Sequence, residues 1–365
     1  MILHHISDAN EWHITDGFTI PLPCITYAKG EGIKVIMSNR FEHGHTAVDR
    51  YVLDHGRLLR IEDKSFPMGE VHLASSHFAH KEIKVGSKTN KETGEEEDIM
   101  GERTLICHDG QVYVAYRHNI FDHGFNYEWY DFSITKNVAT LFLVAIIMFW
   151  VFLAVAATYR SRAGMAPTGL QNFMEPLIMF VRDDIAVANI GEEKADKYVP
   201  YLMTAFFFIW IANLIGQIPF IGNPNLTGNI AVTLFLSLVT FFITQFAGTK
   251  TYWSHVFTAP GSPGFVKPIL IPIEILGIFT KPFALMIRLF ANITAGHIIV
   301  LSLTALIFVF GNAGESMGGS LGGAAIAIPF VLFISLIELL VAFLQAFIFT
   351  MLSALFIGLA LEDHH

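Results

Sequence analysis

The chain has 365 residues, 53% of them hydrophobic and 15% charged, and a formal net charge of −9. Ordinary soluble domains carry about 25% charged residues, and the mean hydropathy of +0.50 marks a chain that spends much of its length in lipid. The acidic balance excludes the basic patch that nucleic-acid binding requires, so no nucleic-acid partner is expected. From Pro200 to Leu361 the formal charges are Lys250, Lys267, Glu274, Lys281, Arg288, Glu315 and Glu338, whereas 12 of the 16 histidines fall within the first 123 residues. The sequence thus divides into a polar part, 1–127, and a membrane part, 128–365.

The polar part reads as a β-rich, histidine-rich extramembrane segment. FTIPLPCITYA, GIKVIMSNRF, RYVLDHGRLLRIED and RTLICHDGQVYVAYRHNIF are β-prone runs, separated by turn signals at KGEG, DHG and HDG. KTNKETGEEEDIM reads as an acidic, mobile loop. His43 and His45 in HGH, and His72, His77 and His80 in HLASSHFAH, follow no zinc-ligand spacing, and no HExxH occurs. They read as surface histidines, and neither a metal nor a cofactor is expected. Cys24 and Cys107 are either one disulfide, if this part faces an oxidising compartment, or two thiols. The start, MILHHISDANEWHI, has no basic and apolar leader pattern.

Apolar runs near the 20-residue spanning length follow at 138–159, 201–220 and 230–248, then longer ones at 268–310 and 324–361. The glycine-rich stretch 311–323 reads as a loop between the last two. TGLQNFMEPLIMFVRDDIAVANI mixes apolar and charged positions and suits an amphipathic interfacial helix. The expected fold is an all-α integral membrane protein after the β-rich segment, with five transmembrane helices, the last two long and tilted. Lys and Arg crowd the loops after the first and third spans, at Arg160, Arg162, Arg182, Lys194, Lys197, Lys250 and Lys267. These loops are therefore cytoplasmic, which puts the N-terminal segment outside and the C-terminus inside.

Charges inside spans are costly, about 2.5–3.5 kcal/mol for Arg or Lys at a helix centre, so each needs a reason. Glu274, Lys281 and Arg288 recur every seven residues and stack along nearly one helix face, with Asn292 one turn further on. His297 lies nine residues beyond Arg288, about half a revolution round and 13–14 Å along the axis. Glu338 and Gln345 share a face of the last span. Glu274 with Lys281, and His297 with Glu338, are also readable as structural pairs. Arg288 is permanently charged and has no acid at i±4, so its counter-charge comes from another span or another protein.

No P-loop, GxGxxG or GxSxG pattern is present, and no catalytic role is expected. RLFANITAGH and LVAFLQAFIFTMLSALFIGLALEDHH, the KP seven residues before the arginine, PYLMTAFFFIWIANLIGQIPF and NLTGNIAVTL together resemble subunit a of the F-type ATP synthases. The resemblance covers about 128–365. The histidine-rich insertion before it is similar to that of Bacteroidetes members.

The resemblance implies a stator subunit of a bacterial inner membrane, beside a ring of c subunits, subunit b of the peripheral stalk and, indirectly, the F1 sector. It implies that Arg288 faces the ring, with Asn292 and Gln345 nearby, that Glu274 belongs to a cytoplasmic access path, and that His297 and Glu338 form a coupled pair in an outer one. Gly216 departs from members that hold an acid there. The alternative is a secondary ion transporter with a soluble sensor domain, although no internal repeat supports it.

Overall fold

The computed structural model describes residues 8–15, 18–75, 78–89, 96–117, 129–218, 224–258, 265–312 and 316–362; His77 lies outside them. The chain forms two compact units, one of Ser7–Ala139 and one beginning at Thr140.

The first unit is built from strands β1 (Glu11–Thr15), β2 (Phe18–Pro21), β3 (Pro23–Ala28), β4 (Gly32–Met37), β5 (Thr46–Val48), β6 (Tyr51–Asp54), β7 (Arg57–Ile61), β8 (Glu70–His72), β9 (Ala79–Thr89), β10 (Glu96–His108), β11 (Gln111–Tyr116) and β12 (Trp129–Asp131). They pair as a β1–β2 hairpin, a sheet of order β8-β5-β6-β7-β11-β10-β9 and a sheet of order β12-β3-β4. The DHG and HDG signals are realised as tight hairpins. His55 and Gly56 have φ of +48° and +75°, as do Asp109 and Gly110, and two left-handed central residues make the turn whose twist matches antiparallel strands. Alternate side chains bury Ile61, Ile106 and Ala115 in one cluster and Cys24, Phe41, Tyr51 and Trp129 in another. There Trp129 meets Tyr51 edge to face at 5.7 Å, a contact that adds about 0.5–1.5 kcal/mol beyond its buried area.

One expectation changes here, and one open alternative closes. The described ends of the acidic stretch, 88–89 and 96–100, are strand: β9 and β10 pair from Ala79–Leu105 to Thr89–Glu96, with one register shift at Ile99/Met100. Backbone ladder bonds can pair a polar sequence, but such a sequence lacks the apolar alternation that reveals a strand. Residues 90–95 lie outside the described ones. Cys24 and Cys107 are free thiols, one buried and one exposed, on different sheets. Burial, with Asp131 adding to it, pushes the Cys24 thiol up to about 12, which keeps it protonated and unreactive at neutral pH.

The second unit is helical: α1 (Lys136–Ser161), α2 (Leu170–Met179), α3 (Val199–Gln217), α4 (Ile230–Ala247), α5 (Lys250–Thr258), α6 (Lys267–Phe310) and α7 (Met317–Leu361). Helical backbone continues past α2 to Ile190 through a π-helical segment, Phe180–Val187. Among the described residues, five helices, α1, α3, α4, α6 and α7, are long and apolar enough to cross a membrane. The largest core cluster joins Val181 and Ile185 of the π segment to Leu202 and Phe206 of α3, Leu289 of α6 and Phe349 of α7.

The glycine-rich loop is shorter than expected, because MGGSLGG is the first two turns of α7. The Ser316 hydroxyl caps it, accepting from Gly319 N at 3.2 Å and satisfying one of the orphan donors of a helix start. A Cβ at Gly319 would overlap the Phe310 carbonyl, and one at Gly323 would lie 3.2 Å from Ile307 Cα. These glycines therefore let two helix backbones approach.

Candidate functional site

α6 and α7 form an antiparallel hairpin whose contacts follow one register. Lys281 Nζ lies 5.5 Å above the Phe356 ring, and Asn292 Nδ2 donates to Gln345 Oε1 at 2.8 Å. Gly296 faces the Glu338 carboxylate so closely that a Cβ there would strike it. Gln345 is 2% exposed, and an amide buried in an apolar helix needs such a partner. The uncharged Asn292–Gln345 link thus fixes the sliding register of the hairpin.

A small polar cavity of about 20 Å³ opens between this hairpin and α3, lined by Asn292, His297 and Glu338 with Asn213 and Gln217. That volume holds about one water. Gln217 Nε2 donates to the Glu338 carbonyl at 2.7 Å. Asn213 Oδ1 accepts from Thr227 Oγ1 at 2.6 Å, while Asn213 Nδ2 reaches the Ala342 carbonyl at 3.4 Å. A Cβ at Gly216 would stand 3.0 Å from the Pro224 carbonyl and 3.9 Å from His297 Nε2. An acid at that position would therefore have to share the space beside the imidazole.

A second cleft, about 170 Å³, lies toward the other end of α6. It is lined by Glu274 and Lys281, by Tyr252 and His255 of α5, and by Leu359 and Glu362 at the end of α7. Burial pushes the Tyr252 hydroxyl above its ordinary value, so it acts here as a neutral hydrogen-bonding group. Pro282 has no N–H for the Ile278 carbonyl, its ordinary helical partner, and Ile278 lines this cleft. Among the described residues Glu274 and Lys281 form no ion pair; Lys281 is held by its cation–π contact instead.

Arg288 lines neither cavity. It sits between them on α6, about 21 Å beyond Glu274 and 13–14 Å short of His297 along the axis. It is half-buried and has no ion pair among the described residues.

The structure therefore gathers His297, Glu338 and Asn292 in one place, Glu274 in another, and leaves Arg288 between them. Asn292 departs from the expected division of faces. It is one turn from Arg288 yet borders the His297 cavity, because that cavity lies along the α6–α7 seam that Asn292 crosses to reach Gln345. Asn213 and Gln217 were overlooked, although two amides at i and i+4 in an apolar span were the available signal. In the β unit, His43 meets Glu11 at 2.9 Å and His72 meets Glu42 at 3.5 Å. Among the described residues, His43, His45 and His72 belong to no three-residue cluster of metal-ligand type.

The family model described as ATP synthase A chain matches residues 138–358, more than half of the chain. A model for a domain of unknown function (DUF8433) matches residues 1–81. Among curated proteins, the chain is 48% identical over 236 residues to ATP synthase subunit a 2 of Chlorobium luteolum, covering 63% of this chain and 66% of that one. It is 43% identical over 243 residues to ATP synthase subunit a of Myxococcus xanthus, covering 64% and 76%. It is 41% identical over 276 residues to that of Chloroherpeton thalassium, covering 70% and 80%. The match thus spans just under two thirds of the first relative.

Proposed function

Because the chain belongs to the ATP synthase A chain family, we propose that it is the stator subunit that carries protons to and from a ring of c subunits through two offset half-channels. In this reading residues 128–365 form the channel domain in a bacterial inner membrane, crossing it five times. The helix from Leu170 to Ile190 runs along the interface, with Arg182 and Asp183 paired at its polar surface. Residues 1–127 face the outside and the C-terminus faces the cytoplasm, as the Lys and Arg bias of the loops requires. Subunit b of the peripheral stalk holds the chain against the ring and couples it indirectly to the F1 sector. The chain itself catalyses no bond-making step.

The observation that carries this reading is the position of Arg288, between two polar cavities on one helix and without an ion pair among the described residues. Protons enter past His297 and Glu338, with Asn213 and Gln217 ordering water beside them, and neutralise a ring carboxylate. The neutral site enters lipid, where its charged form would pay the desolvation cost. On returning it meets the Glu274 cleft and releases the proton to the cytoplasm. Arg288 pairs with the ionised carboxylate in transit, and its permanent charge repels a proton moving straight between the cavities. No observation favours the transporter alternative. Arg288→Ala in inverted membrane vesicles should abolish ATP-driven proton pumping while the complex still assembles; coupled pumping by an assembled variant would overturn the proposal.

A further inference from the structure

We propose that Asp54, His55 and His80 form a binding site for a divalent first-row transition cation, zinc being the representative, in the β unit. The inference rests on that unit alone and is independent of the channel reading.

β6 and β9 stand four places apart in the strand order, about 19 Å if the sheet were flat. Yet His80, the second residue of β9, places Nε2 3.3 Å from Asp54 Oδ2 at the end of β6. The sheet therefore curls over, and this contact is where its far strand meets the β6–β7 turn. His55 occupies the first left-handed position of that turn and places Nδ1 2.7 Å from Asp54 Oδ1. Each carboxylate oxygen thus faces one imidazole nitrogen, and ligand atoms of the three residues lie within 4.8 Å of one another. Ligands around tetrahedral zinc stand about 3.3–3.5 Å apart, given bonds near 2.0–2.1 Å. The Asp54–His80 separation of 3.3 Å already falls within that spread, whereas the Asp54–His55 contact of 2.7 Å is a hydrogen-bond distance that opens by a few tenths of an ångström as the exposed rings rotate toward a shared cation.

Three further features favour a cation over a plain hydrogen-bonded triad. The Asp54 side chain is 7% exposed, and among the described residues it has no Lys or Arg partner. A carboxylate buried to that degree calls for a counter-charge, which a cation held between it and the two imidazoles supplies. The other ring nitrogen of His80, Nδ1, is 3.3 Å from Thr104 Oγ1. Such an outer hydrogen bond orients a ligating imidazole and fixes its tautomer. Two imidazoles and one carboxylate also form a borderline donor set that suits zinc, nickel or copper better than calcium or magnesium. The rings of His55 and His80 are exposed, so a cation reaches the site from water, and water completes its coordination.

The test uses the whole chain, purified in detergent without a polyhistidine tag, stripped with chelator and equilibrated against buffered free zinc. Wild type should retain one zinc equivalent more than His80→Gln, with affinity at least about tenfold higher, and zinc should raise its unfolding midpoint more. His80 is exposed, so this substitution leaves the core intact; far-ultraviolet circular dichroism checks the fold. His43→Gln should bind zinc as wild type does, and Thr104→Val should weaken binding by about 10–100-fold, as the loss of an orienting partner does. Equal zinc content and affinity in wild type and folded His80→Gln would overturn the site. Equal losses in His43→Gln and His80→Gln would also overturn it, since they would mean diffuse binding to surface histidines.

Discussion

Three kinds of side chain share α6, and each does something the others cannot. Arg288 brings a guanidinium charge, Asn292 holds the helix register without a charge, and His297 brings an imidazole, the kind of side chain suited to passing a proton. If His297 and Glu338 relay one proton through one cavity, His297→Ala and Glu338→Ala should each slow ATP-driven pumping by about a hundredfold or more, the scale on which proton-transfer groups act. The double variant should then be no slower than the slower single one. Multiplying effects, measured in inverted vesicles, would place the two residues on separate paths. The charged members of the site were legible because charge in an apolar run is conspicuous. Asn213 and Gln217 were not, since an amide in a span is a common packing device. Their place beside His297 and Glu338 became readable only with α3 lining the same cavity as α6 and α7.

Hydropathy located the five long helices closely but misplaced the start of α7, because glycine content reads as loop. What the composition hid is a contact requirement: Gly319 and Gly323 lie against the backbone of the preceding helix, whereas Gly322 has nothing within 4 Å of a would-be Cβ. Gly319→Ala must therefore move a main chain and should cost about 1–3 kcal/mol, as overpacking does. Gly322→Ala should raise stability by about 0.5–1 kcal/mol through lost chain entropy. Thermal unfolding of the purified chain in detergent separates them, and equal shifts would refute the close approach. α6 and α7 have 44 and 45 residues, about 66 Å each at 1.5 Å per residue. That is more than twice the ~30 Å hydrocarbon thickness, so in the proposed setting they run strongly tilted or extend beyond it. The β9–β10 ladder was hidden for the converse reason: strand pairing leaves no mark on a polar sequence unless one face is apolar.

In the whole molecule, the β unit has its own cores and its own electrostatic lock. Glu31, between β3 and β4, pairs with Arg50, with Arg60 at 2.5 Å and with Lys34 at 3.2 Å, so one carboxylate links two sheets. Burial acts to raise its pKa, but Arg60, Lys34 and Arg50 outweigh that and hold it below the ordinary carboxylate value of 4.5. A depressed carboxylate stabilises fully above its unfolded pKa, and the contribution disappears as pH falls through the lowered folded value. Resistance of the unit to proteolysis in the intact chain should therefore drop below about pH 4.5. Glu31→Gln should be less resistant at neutral pH, by about 3 kcal/mol where Arg50 loses its carboxylate partner while buried, with a flatter acid profile. An unchanged acid profile would mean that another group governs it. The two cavities on either side of Arg288 along α6 have an electrical consequence. If, as proposed, the two cavities admit water from opposite sides, a membrane voltage would fall chiefly across the dry segment between them instead of across the full bilayer. With about 2.3 kcal/mol per charge for each 100 mV compressed into that short distance, the field would be steepest near the arginine. In that setting the shape of the protein, more than its charge, would bring nearly the entire driving voltage to bear on a single proton-exchange step.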